Sequence, residues 1–90
     1  MMALTYAEMA ALARTPSFVD RIEIALVKAA MAGLSGKQAK KDWIKKLRDK
    51  GSRFDACEVA KYVVITAGIS AASSDAEISA AVEAVFEALA

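Results

Sequence analysis

Apolar residues in this chain recur at helical spacing in every segment that carries them, and no segment alternates with the period of two that a half-buried strand shows. A strand also needs a partner strand for its backbone groups, and the sequence offers none. The pattern therefore predicts an all-α fold: a compact orthogonal or up-down bundle of about five short helices. Its 90 residues suit one domain, 1–90, with a single core. At 57% hydrophobic and 26% charged residues, the chain can bury enough apolar surface to offset chain entropy.

Each helix has a chemical start or stop. Thr5 and Glu8 have capping-box spacing, which predicts a first helix over about 5–13. Thr15-Pro16 reads as N-cap and first residue of a second helix that runs to Ala32 and ends at Gly33. A third helix over about 37–50 is stopped by Gly51. The fourth, about 54–67, contains the β-branched run "YVVIT", which could form a strand. Cys57, Ala60, Val63, Val64 and Ala67 nevertheless follow helical spacing up to Gly68. The fifth opens with a second capping box, Ser74 to Glu77, and carries Ile78, Ala81, Val82, Val85, Phe86 and Leu89 on one stripe.

The second helix is apolar on two sides. Phe18, Ile22, Ala25, Leu26 and Ala29 form one stripe, and Ile24, Val27 and Met31 form another nearly opposite it. Such a helix is either central, with neighbours covering both sides, or it covers its own core and docks a second copy or a partner. On the second alternative, Ile24, Val27 and Met31 are the candidate self-association residues.

Charge is unevenly placed. Residues 37–53 carry eight basic side chains against Asp42 and Asp49, a local charge of +6, so with the whole chain at +1 the remainder is −5. Such a chain can pair acidic with basic patches, within itself or between copies. On the third helix Trp43, Ile44 and Leu47 share one side, while Lys37, Lys41, Lys45 and Arg48 share the other. The tryptophan is expected to anchor in the core, and the four cations are the candidate partner-binding residues. A glycine-containing turn followed by a basic helix is also loosely the layout of a helix-turn-helix, with Lys37, Gln38 and Lys41 near the start of the would-be recognition helix. Against DNA binding stand a nearly neutral chain, lysines where base readout favours Arg, Asn and Gln, and no flanking basic arm.

Catalytic chemistry is poorly supplied. Histidine is absent, which removes the commonest general base and metal ligand. One cysteine, Cys57, cannot build a zinc site or an intrachain disulfide, and it is expected to lie as a small inert hydrophobe on the buried side of its helix. Gly33 and Gly36 lack the spacing of a phosphate-binding loop. Glu83 and Glu87, four apart, could pair for acid–base work but read as a solvated face. No enzymatic activity, cofactor or metal is expected. The opening "MMALTYAEMAALARTP" lacks a basic leader region and is broken by Glu8 and Arg14, so neither a signal peptide nor a membrane span is expected, and an intracellular, soluble product is.

Three stretches, "LARTPSFVDRIEIALVKAA" (12–30), "KKDWIKKLRDKG" (40–51) and "AGISAASSDAEISAAVEAVFEALA" (67–90), resemble in the same order a group of small helical proteins encoded in tailed bacteriophages and prophages, among the genes for capsid and head-assembly proteins. The matching features are Pro16-Ser17-Phe18 followed by Arg21, Leu26 to Ala30, the basic-aromatic helix, and Ser74-Asp75 leading into a helix with Val82 and Phe86. The chain departs from that group at Gly51-Ser52, where an Asn/Pro turn is common, and in its dense lysines. The resemblance implies a virion-structural or head-assembly role by protein–protein association, with other assembly proteins or itself as partner, in the cytoplasm of a bacterial host or on the virion. It transfers no catalytic or binding residues.

Overall fold

The computed structural model describes residues 4–89, which form five helices: α1 (Tyr6–Leu12), α2 (Pro16–Ala32), α3 (Lys37–Arg48), α4 (Ala56–Ala67) and α5 (Asp75–Leu89). Among the described residues there is no strand, and the fold is the expected all-α bundle. The "YVVIT" run lies inside α4, because Val63 and Val64 find a helical core to face instead of a partner strand.

Two helix starts are as the capping boxes predict. Glu8 N–H donates to the Thr5 hydroxyl at 3.2 Å while the Thr5 N–H donates to the Glu8 carboxylate at 3.1 Å, and Ser74 and Glu77 repeat the arrangement at 3.2 and 3.1 Å. Thr15 and Pro16 are the N-cap and first residue of α2 as expected, but the Thr15 hydroxyl makes no capping bond. It turns back to donate to Ala11 O at 2.9 Å, so α2 starts on Pro16 alone, and the side chain ties α2 to the end of α1 instead. Helix α3 stops at Arg48, before Gly51, because Asp49 is already extended. Helix α4 starts two residues later than Phe54, at Ala56, after the N-cap Asp55, whose carboxylate accepts from Cys57 N–H at 3.1 Å. Gly68, left-handed at φ 65°, ends α4, and the following Ile69 N–H bonds back to Val63 O at 3.3 Å. The Gly68 N–H bonds to the same Val63 carbonyl, and this closure delivers Ile69 into the core.

The core is built mainly by α2, α4 and α5, whose Ile22, Leu26, Val59, Val63, Ile78 and Val82 are fully buried. Burial of each such aliphatic side chain contributes about 1.5–3 kcal/mol relative to exposure. Helix α2 packs against α3, α4 and α5, which makes it the central helix. Helix α4 buries Ala56, Val59, Ala60, Val63 and Val64, so Ala60, Val63 and Val64 of the expected stripe lie in the core and only its ends, Cys57 and Ala67, do not. Cys57 is half-buried and Ala67 exposed, because the face with three valines removes more apolar surface from water. On α2 the same preference buries Ala30 and leaves Ala29 half-buried.

Two contacts join segments far apart in sequence. Trp43 of α3 meets Phe54 edge-on with ring centroids 5.0 Å apart, and meets Phe86 of α5 at 5.1 Å. Phe54 and Phe86 close the triangle at 5.7 Å. At the other end, Arg21 on α2 holds the α4–α5 connection. Its guanidinium donates to Asp75 Oδ1 at 2.8 and 3.2 Å, to Ser73 O at 2.8 Å and to Ala71 O at 3.1 Å. Helices α2 and α5 therefore begin side by side, and because Ala29 and Ala32 lie beside Glu83 and Phe86 at their far ends, they run in the same direction.

Charged hydrogen bonds of this kind contribute more than neutral ones, so Arg21→Ala is expected to lower unfolding stability by about 2 kcal/mol in urea melts. Arg21→Lys should recover less than half of it, since an ammonium cannot make the forked contacts. In the two capping boxes, the Thr5 and Ser74 backbone N–H groups, and then their hydroxyls, hold Glu8 and Glu77 below the ordinary glutamate pKa. A carboxylate lowered by folding stabilises the fold above its unfolded pKa, and loses that contribution as pH falls through the lowered folded value. Thermal melts of Glu8→Gln/Glu77→Gln are therefore expected to show a shallower loss of stability over that acid range than the parent chain.

Candidate interaction surface

Helix α3 begins without help from its ends. Gly36, at φ 91°, turns the chain into the helix but offers no capping side chain, and the first turn carries no acidic residue. Lys37 instead places a cation where the helix dipole is already positive. What holds α3 is its inner side, where Leu47 is buried and Trp43 packs in the aromatic triangle. Lys46 lies over the Trp43 ring at 5.1 Å from its centroid, which shields the ring's outer part. Base stacking by Trp43 is thus replaced by a structural role, as its position on the helix predicts.

The outer face carries the predicted cations together. Lys37, Lys41, Lys45 and Arg48 are all exposed. Arg48 reaches Glu23 of α2 at 3.5 Å. Among the described residues, Lys37, Lys41 and Lys45 form no ion pair, and Asp42, their acidic neighbour on α3, accepts from Gln38 at 3.0 Å. Three like charges therefore stand one turn apart, each adjacent pair costing about 0.2–0.5 kcal/mol in an isolated helix. The shallow depression around Lys41, Ile44, Lys45 and Arg48 is lined by α3 and its cap alone, so it is the open surface between long side chains and not a cleft between elements.

The candidate self-association residues differ in exposure along their stripe of α2. Ile24 is 57% exposed, Met31 is half-buried, and Val27, also half-buried, packs on the core. A larger exposed apolar group lies elsewhere, where Tyr6 and Met9 of α1 face Ile65 of α4 across a groove edged by Arg14 and Lys61, with Tyr62 exposed one turn before Ile65. Sequence reasoning missed this group because Tyr62 and Ile65 fall in the run read as largely buried. The available signal was the shortness of α1, too short to cover α4's outer side.

Glu83 and Glu87 are both exposed on α5, as a solvated face requires. No cluster of potential metal ligands occurs among the described residues, and none of their helices is long and apolar enough to cross a membrane.

A double-mutant cycle on Arg48→Ala and Glu23→Ala should give a coupling of no more than about 0.5 kcal/mol, because both groups are substantially exposed. The coupling should vanish at about 0.5 M salt. Comparison with known protein families, with curated proteins and with solved structures gives no match to this chain.

Proposed function

We propose that this chain is a non-enzymatic structural or head-assembly accessory protein of a tailed bacteriophage or prophage, working by protein–protein association in the bacterial host or on the virion. The observation that supports association is the exposed row Lys37, Lys41 and Lys45, none of which makes an ion pair among the described residues. An acidic partner face meets three charges already aligned on a helix held by Trp43 and Leu47. The assignment to phage assembly is supported by the three stretches that resemble that group of proteins, and by a residue set poor in catalytic chemistry.

A second reading, a small DNA-binding module using residues 37–50, has one observation in its favour. Lys37, Gln38 and Lys41 are exposed at the start of a helix that follows a glycine turn. Phosphate neutralisation by such a row would be strongly salt-dependent.

The two readings separate in one pair of measurements. On induction of a phage or prophage carrying the gene, the protein is expected to sediment with heads or head intermediates in a density gradient, and Lys37→Glu/Lys41→Glu to move it to the soluble fractions. Fluorescence anisotropy with a duplex oligonucleotide should show no binding in the micromolar range at about 150 mM salt. Micromolar binding that the same double variant abolishes would give the DNA reading priority.

A further inference from the structure

The exposed row on α3 has a counterpart of opposite sign. Glu83 and Glu87 stand one turn apart on α5, both exposed, and neither makes an ion pair among the described residues. Together with Phe86 of α5 and Ala29 and Ala32 of α2 they line an open groove between the two parallel helices. Alanines on the α2 side leave room for another helix to lie close. The pair of carboxylates is set about 6 Å apart along the axis by four residues of helical rise, the same separation that divides Lys41 from Lys45.

We propose that the basic face of α3 from one copy docks into the α2–α5 groove of a second copy, with Lys41 and Lys45 meeting Glu83 and Glu87. The occupant follows from charge: the chain carries both halves of one contact, matched in sign and in spacing. Duplex nucleic acid would satisfy the lysines but not the groove. Because the two halves are different surfaces, the contact is heterologous, and each bound copy still offers one free face. Copies therefore add head to tail, into a ring if the rotation closes and into an open filament if it does not. The inference rests on the reading of α3 as an association surface and names the partner of that surface. Exposed ion pairs are individually weak, so the contact is salt-sensitive and populated at high local concentration.

Sedimentation velocity of the full chain at about 0.5 mM tests it, comparing about 20 mM with about 500 mM salt, a range over which the screening length falls severalfold. Concentration-dependent oligomers are expected at low salt and monomer at high salt. Lys41→Gln/Lys45→Gln and Glu83→Gln/Glu87→Gln each remove one face with exposed, helix-compatible replacements, and circular dichroism checks their fold. Each should be monomeric alone, and their equimolar mixture should form a dimer and nothing larger, since each retains one complementary face. Ile24→Asp should associate like the parent chain. Monomer at low salt, oligomers that survive either double variant, a mixture that stays monomeric, or loss of association in Ile24→Asp would each overturn the proposal. Any of these results would leave the broader α3 reading to be judged by co-sedimentation with phage heads.

Discussion

Burial of Ile22 and Leu26 on α2 is the contact around which the other helices are arranged. Both side chains are fully buried, and one helix cannot exclude water from them alone. Helices α4 and α5 cover them with Val59, Val63, Ile78 and Val82, while α3 lies over another flank of α2. Packing at this density leaves little room for adjustment, which is why α4 takes the rotation that turns its valines inward and leaves Cys57 half-exposed. The central helix thus determines which face each neighbour shows to water, and that includes the face carrying the lysines.

Two directional contacts fix what burial leaves free. Hydrophobic packing is non-directional, so it could tolerate α5 sliding along α2. The Arg21 fork holds the start of α5 through Asp75 and the preceding carbonyls, and the Trp43–Phe54–Phe86 triangle holds its far half. Between these two points the parallel run of α2 and α5 has a defined register. Glu83 and Glu87 beside Ala29 and Ala32 are a product of that register.

Features encoded within a few residues were legible in the sequence. Thr5 with Glu8, Ser74 with Glu77, Pro16 and Gly68 announce helix ends because their bonds close over short loops, and the i, i+4 row of lysines is visible for the same reason. What was not legible depends on pairs distant along the chain. Arg21 and Asp75 are 54 residues apart, and nothing local to Arg21 marks it as a clamp. Thr15 has the composition of an N-cap, yet Ala11 O competes for its hydroxyl. The stripe through Cys57 and the face through Val59 share Ala60, Val63 and Val64, and only the presence of α2 and α5 decides which flank of them is buried. In the candidate surface, the row itself could be read from spacing, whereas the partnering of Arg48 by Glu23, and of no other member of the row among the described residues, is a tertiary fact.

Helix α1 is the element that the central contact reaches least. It has seven residues, none of them buried, and it leans on the core through Leu4, Met9 and Leu12 while its own start is secured by the Thr5–Glu8 box. Its backbone bonds can open without disturbing α2, α4 or α5, so its amides belong to a less protected cooperative unit than theirs. The domain is in this sense a four-helix body with an attached short helix, and the groove between Tyr6 and Met9 of α1 and the already exposed Ile65 of α4 is the seam between the two.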